Sequence, residues 1–170
     1  MDVLLRTLLG TALLMIISIN AQAAAFCDGR DPTIYGTPGN DVIIGTMAPD
    51  VIAGLQGNDG ILGLEGNDII CAGPGKDVVY GEAGNDRVFG NKDDDLLQGG
   101  QGHDRVAGDD GNDVLTGQLG SDFVFGLAGS DAMYGGGLVP GSKIQPGDQD
   151  VCNGGYPFPG DYDQYFGSSH

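Results

Sequence analysis

An apolar side chain returns at every ninth position over most of this chain. From Gly36 to Tyr134 the sequence divides without a gap into eleven nonapeptides: GTPGNDVII, GTMAPDVIA, GLQGNDGIL, GLEGNDIIC, AGPGKDVVY, GEAGNDRVF, GNKDDDLLQ, GGQGHDRVA, GDDGNDVLT, GQLGSDFVF and GLAGSDAMY. Position 8 is always aliphatic or Met: Ile43, Ile52, Ile61, Ile70, Val79, Val88, Leu97, Val106, Leu115, Val124 and Met133. Positions 7 to 9 therefore predict a short strand, with residue 8 facing one way and residues 7 and 9 the other. Position 1 is Gly in ten of eleven repeats, except at Ala72, and position 4 is Gly in nine, except at Ala48 and Asp93. Glycine opens backbone angles closed to other residues, so positions 1 to 6 predict a tight turn. One apolar residue per nonapeptide makes no core alone. Stacking successive strands into two parallel sheets, with the position-8 side chains between them, does. Two nonapeptides then form one coil, and the turns alternate between its two sides.

Position 6 carries the chemistry. It is Asp in every repeat: Asp41, Asp50, Asp59, Asp68, Asp77, Asp86, Asp95, Asp104, Asp113, Asp122 and Asp131. Turn initiation alone would accept Asn or Ser there, and neither occurs. The coil sets Asp residues eighteen positions apart about one strand spacing from each other, ~4.8 Å. Like charges at that distance repel by roughly 1 kcal/mol in water and ~3 kcal/mol when partly desolvated. Two such columns need a cation. Carboxylates beside flexible backbone carbonyls suit Ca²⁺, which takes six to eight oxygens at ~2.3–2.6 Å, better than the stricter octahedral Mg²⁺. Zinc is a poor candidate, because His103 and His170 are the only histidines and the cysteines are scattered. With one ion in each gap between same-side turns, the ceiling is about nine.

On these residues the chain resembles the RTX family of GGxGxDxUx calcium-binding nonapeptides. The resemblance implies an all-β fold, a right-handed parallel β-roll or β-solenoid. It also implies that the turn Asp and several turn carbonyls ligate Ca²⁺ shared with the next turn on the same side. Carried over, the Asp41–Asp59, Asp68–Asp86, Asp86–Asp104, Asp95–Asp113, Asp104–Asp122 and Asp113–Asp131 pairs fit best. The second family glycine is mostly missing, since position 2 is Gly only at Gly73 and Gly100. Ala48 with Pro49, Lys76 and Asp93 are expected to weaken the turns of Asp50, Asp77 and Asp95.

Composition narrows the class further. Lys plus Arg number 7 against 24 acidic residues, for a formal charge of −17, which excludes a phosphate-binding surface for nucleic acid. The 33 Gly residues have no three-residue period and Pro numbers 8, which excludes collagen. Glycine at this density also argues against helical bundles, at about 1 kcal/mol per helix position relative to Ala. No HExxH or GxSxG motif occurs, so no enzyme is expected. His103, at position 5 of its turn, reads as a solvated substituent rather than a catalyst.

The flanks suggest export. Residues 1–25 read as a signal peptide, with Arg6, the apolar stretch Leu8–Ile19, and cleavage after Ala23 or Ala25. The apolar stretch is short against the ~20 residues a spanning helix needs, so the mature chain is expected to be secreted and extracellular without a membrane span. Residues 26–35 read as a capping segment with Ile34 in the inward slot, and 36–134 as the roll. Residues 135–170 read as a degenerate closing turn around Asp150–Gly154 and a tail with Tyr156, Phe158, Tyr162, Tyr165 and Phe166. That tail either covers a strand edge or stays disordered. Cys71 falls in an outward slot on the side of the incomplete turn carrying Cys27, making Cys27–Cys71 the expected disulfide and leaving Cys152 buried or free.

The functional expectation is a secreted calcium-binding β-roll that folds as Ca²⁺ arrives. The alternative is a calcium-stabilised adhesion or interaction protein, using the tail or the outer apolar residues Val42, Ile44, Leu62, Val78, Tyr80, Leu96, Val114 and Tyr134 for partner or self-association. A Thr ladder is excluded, because Thr37 and Thr46 are followed by Leu55 and Leu64.

Overall fold

The computed structural model describes residues 26–134, together with the backbone of two strands at 151–153 and 164–166. The expected signal peptide, Tyr156, Phe158, Tyr162 and the side chain of Cys152 lie outside the described residues. All regular structure among the described residues is β. In chain order the strands are β1 (Ile34–Tyr35), β2 (Val42–Ile44), β3 (Val51–Ala53), β4 (Gly60–Glu65), β5 (Ile69–Pro74), β6 (Val78–Ala83) and β7 (Arg87–Lys92). They continue as β8 (Leu96–Gln101), β9 (Arg105–Asp110), β10 (Val114–Leu119), β11 (Phe123–Ala128), β12 (Ala132–Tyr134), β13 (Val151–Asn153) and β14 (Gln164–Phe166).

Odd and even strands separate into two seven-stranded parallel sheets, ordered β1-β3-β5-β7-β9-β11-β13 and β14-β12-β10-β8-β6-β4-β2. This is a β-solenoid of about six turns. Successive neighbours pair eighteen residues apart, as Ile52 with Ile70 and Ile70 with Val88. The core between the sheets consists of one position-8 side chain per strand, from Ile43 through Met133, joined by Ala72 and edged by Ile34. Ile34 pairs with Ile52 and begins the stack in register.

Two features depart from the pattern read in the sequence. Strands β4 to β11 are six residues long, because pairing runs on through positions 1 to 3 of the next repeat, as Leu64 with Glu82. Position 1 also does not use glycine for its backbone angle. Left-handed φ falls at position 2, at Leu55, Leu64, Glu82, Asn91, Asp109, Gln118 and Leu127 (φ 71–81°), and again at position 4 in eight repeats, Gly57 and Gly84 among them. Position 1 is glycine for proximity. A Cβ on Gly63 would lie 2.6 Å from the carbonyl oxygen of Gly81 and 2.7 Å from Oδ2 of Asp68.

The coil continues past the last regular repeat through longer connections. Val124 pairs with Cys152 and Met133 with Tyr165, so β13 and β14 extend both sheets across separations of twenty-eight and thirty-two residues. Tyr165 and Phe166 thus belong to a strand on the β12 edge. At the other end, Cys27 and Arg30 close a small turn through Cys27 N–H to Arg30 O (3.1 Å) and Arg30 N–H to Cys27 O (2.9 Å). Cys27 is fully buried and disulfide-bonded to Cys71 on β5, with the Cα atoms 5.6 Å apart. An Asp28–Arg87 ion pair ties the same turn to β7.

Candidate calcium site: two columns of buried aspartates

The position-6 aspartates line up at the turns in two columns, six on the β2 side and five on the β3 side. Asp59, Asp68, Asp77, Asp86, Asp95, Asp104, Asp113, Asp122 and Asp131 are all less than 5 % exposed. Asp50 is buried slightly less, and Asp41 is half-buried. The backbone N–H of each donates to Oδ1 of the Asp eighteen residues later. This holds at 2.7–2.9 Å from Asp41–Asp59 through Asp113–Asp131, nine bonds in all. A carboxylate held by a peptide N–H is fixed in orientation, and its second oxygen has one direction left.

That second oxygen carries the site's chemistry. Oδ2 of Asp59, Asp68, Asp77, Asp86, Asp95, Asp104 and Asp113 is buried and accepts no hydrogen bond. A buried polar atom without a partner costs about 1–3 kcal/mol, more if charged, so seven repeats of it call for a ligand. At Gly54, Gly63, Gly81, Gly90 and Gly108, Oδ2 of the same repeat's Asp faces the bare Cα of position 1, where the position-1 carbonyl of the next same-side turn also arrives. At Gly63 these oxygens are Asp68 Oδ2 and Gly81 O. Carboxylate and carbonyl oxygens from successive same-side turns therefore converge, the donor set that a hard oxygen-seeking cation takes.

Burial pushes these carboxyls upward in pKa, to about 6 at Asp77 and Asp86 and about 7 at Asp104 and Asp113. Asp95 reaches about 8, through burial first and then the charges of Asp77, Asp113 and Asp93, while its bond from the Asp77 amide works in the opposite direction. The turns thus hold carboxylates that are costly to ionise without a counter-charge.

The first turn on each side is built differently. Oδ2 of Asp41 accepts from Thr37 N–H (2.6 Å) and Thr37 Oγ1 (2.9 Å). Oδ2 of Asp50 accepts from Thr46 N–H (2.7 Å) and Thr46 Oγ1 (2.8 Å). The structure brings all eleven predicted aspartates into the columns, including those of the degenerate turns at Asp77 and Asp95, but the carboxylates of Asp41 and Asp50 are already satisfied.

A second ladder at position 5 escaped the sequence reading. Asn58 N–H donates to Asn40 Oδ1 (2.8 Å), Asn85 N–H to Asn67 Oδ1 (2.8 Å) and Ser130 N–H to Asn112 Oδ1 (3.0 Å). His103 is a rung of it: its N–H donates to Asn85 Oδ1 (2.8 Å), and its Nδ1 accepts from Ser121 N–H (3.1 Å). Asn at five of eleven position-5 slots was the available signal, since a short side-chain acceptor suits every rung. Where Lys76 supplies no acceptor, its ammonium instead pairs with Asp94 at 2.6 Å and holds that exposed carboxyl down at about 2.

A parallel β-solenoid whose turns stack buried, half-unsatisfied carboxylates belongs to the class of solenoid repeat proteins with acidic turns. The family model of the RTX calcium-binding nonapeptide repeat (4 copies) matches residues 35–70, 44–79, 72–106, 80–115 and 107–137. These matches cover more than half of the chain, which belongs to this family of calcium-binding repeats. No curated protein matches it.

Proposed function

We propose that this is a secreted calcium-binding β-roll whose acidic coil folds as Ca²⁺ enters between same-side turns. The carrying observation is the row of orphaned Oδ2 atoms at Asp59, Asp68, Asp77, Asp86, Asp95, Asp104 and Asp113. Those carboxylates would hold the ions together with position-1 carbonyls such as Gly81 O. Bound Ca²⁺ supplies the positive charge that lets closely spaced buried carboxylates remain ionised. The chain's own part is to orient each carboxylate through the preceding Asp amide and to keep water from Oδ2. In this reading residues 1–25 are a signal peptide removed after Ala23 or Ala25, 26–35 cap the roll of 36–134, and 135–170 close it. Low cytoplasmic calcium keeps the acidic chain unfolded for export, and extracellular calcium organises it.

Circular dichroism during a Ca²⁺ titration of the purified chain tests this at neutral pH. The expected result is a rise in β signal with calcium and a much weaker response to Mg²⁺. Full β signal in chelator at that pH, or no calcium retained in equilibrium dialysis, overturns it.

One observation favours an added interaction role. The outward positions 7 and 9 of β2, β4, β6, β8, β10 and β12 carry no charged residue in a chain of net charge −17. Val42 is 85 % and Ile44 60 % exposed at the β2 edge of that face. Such a face suits partner or self-association. A strict monomer in analytical ultracentrifugation with Ca²⁺, with nothing retained in pull-downs, counts against it.

A further inference from the structure

The two turns that differ from the rest share a threonine, Thr37 and Thr46, and neither Gly39 nor Ala48 at their position 4 takes the left-handed φ of most later turns. Both occupy position 2 of their repeats. From Leu55 onward, position 2 takes a left-handed φ, at the seven side-chain-bearing residues named above and at Gly73 and Gly100. Thr37 and Thr46 stay outside that region. Their N–H and hydroxyl groups turn inward instead, onto Oδ2 of Asp41 and Asp50 at 2.6–2.9 Å. The strands record the same change: β2 and β3 have three residues, whereas β4 to β11 have six.

The start of the β3 column carries a second substitution of this kind. By the eighteen-residue rule the donor to Asp50 Oδ1 would be residue 32, which is Pro and has no N–H. The hydroxyl of Thr33 supplies that donor at 3.2 Å, and Thr33 Oγ1 in turn accepts from Val51 N–H at 3.0 Å. Both oxygens of Asp50 are therefore satisfied by protein groups. The Cys27–Cys71 disulfide and the Asp28–Arg87 pair fasten this same end of the stack.

We infer that Thr37 and Thr46 make the first turn on each side independent of metal, so that the ion columns begin one turn later, at Asp59 and Asp68. Two hydrogen-bond donors aimed at one carboxylate oxygen put positive hydrogens where a cation would otherwise be needed. A Gly at position 2 lacks the hydroxyl and readily takes the left-handed φ seen in the other turns. Of the nine gaps between same-side turns from Asp41 to Asp131, the two headed by Asp41 and Asp50 are closed. The seven remaining gaps are headed by Asp59, Asp68, Asp77, Asp86, Asp95, Asp104 and Asp113, whose Oδ2 atoms accept no hydrogen bond. The metal-free turns form a starter, and calcium extends the coil from it toward β12. This rests on the calcium reading above, and the test separates the two.

The experiment compares the oxidised full mature chain with Thr37→Gly/Thr46→Gly and Thr37→Val/Thr46→Val. Calcium stoichiometry is counted by titration calorimetry. Hydrogen exchange is followed by mass spectrometry over 43–54 and 105–119, in chelator and in Ca²⁺. The Gly pair is expected to bind two more ions than the parent chain. In chelator, 43–54 of the parent chain stays protected while 105–119 exchanges. The Val pair, which lacks only the hydroxyls, loses protection in 43–54 by roughly fivefold to tenfold, the size of a lost capping bond, without a change in 105–119. Equal ion counts for the parent and the Gly pair, or 43–54 as calcium-dependent as 105–119, overturn the inference. Equal protection of 105–119 with and without calcium overturns the calcium reading instead, and the response of 43–54 to the Val pair still decides the role of the threonines.

Discussion

Two glycines three residues apart on β4 offer a controlled perturbation of the proposed calcium gap. Gly60 and Gly63 share a strand, and neither has a left-handed φ. A methyl on Gly60 meets nothing within 4 Å. A methyl on Gly63 would sit 2.6 Å from Gly81 O and 2.7 Å from Asp68 Oδ2, both inside carbon–oxygen contact distance. Relieving that overlap means moving the turn of Gly81 away from the turn of Asp68, and overpacking of this kind costs about 1–3 kcal/mol. Gly60→Ala instead restricts the unfolded chain and is expected to stabilise by about 0.4–1 kcal/mol. The chain already accepts one methyl in the Gly63 register, at fully buried Ala72, so the fold itself survives. Gly63→Ala is therefore expected to lower urea stability in saturating Ca²⁺ by about 1–3 kcal/mol and to lose one bound ion. Urea denaturation followed by circular dichroism gives the first quantity, and calorimetric stoichiometry gives the second. If Gly63→Ala matches Gly60→Ala in both, glycine at position 1 is not reserving room for converging oxygens, and the site is wrongly placed.

The ion-free coil is expected to gain stability on acidification. The folded-state pKa values of Asp77, Asp86, Asp95, Asp104 and Asp113 are raised to about 6–8 from 3.8 by burial, so the folded form binds protons more tightly than the unfolded chain. The resulting stabilisation is complete below about pH 3.8 and is lost as pH rises through about 6–8. The β signal of the calcium-stripped chain at fixed temperature should rise from pH 8 to pH 5, and a flat or falling signal refutes the assignment. Ala72→Gly removes the methyl in the register of the Asp77 gap and is expected to tighten calcium binding there, visible as a stronger early phase in calorimetry; an unchanged isotherm counts against it. Reducing Cys27–Cys71, which closes a separation of 44 residues, should cost about 4 kcal/mol on the chain-entropy model. An unchanged urea midpoint after reduction shows that the disulfide does not restrain the unfolded chain.

The fold was legible in the sequence because its period is rigid. With one inward residue every nine, Ile43 through Met133 can be buried together only by two stacked sheets, and the eighteen-residue register follows. The aspartate columns follow from the same register. What the letters concealed is that glycine answers two different demands. At Gly63 it clears room for two oxygens, whereas at Gly84 (φ 151°) it also permits a backbone angle that side chains avoid. Position 2 has no residue signature, because Leu, Glu, Asn, Asp and Gln all adopt φ near 75° there under the constraint of the paired strands. The position-5 ladder was hidden for a similar reason: Asn, Asp and His each offer an acceptor, so its chemistry persists while its letters vary.

Those concealed features bear on the proposed dependence of this fold on an ion. A left-handed conformation costs a non-glycine residue roughly 1 kcal/mol, and seven position-2 residues carry it. Seven orphaned carboxylate oxygens add their own desolvation. Against this stands a core only one side chain wide per strand. Thr37 and Thr46 avoid both penalties, which on the proposed reading puts a metal-free end and a metal-dependent body of the coil under different balances of the same forces. On the proposed reading, the coil takes its starting point from the threonines and its extension from the ion columns.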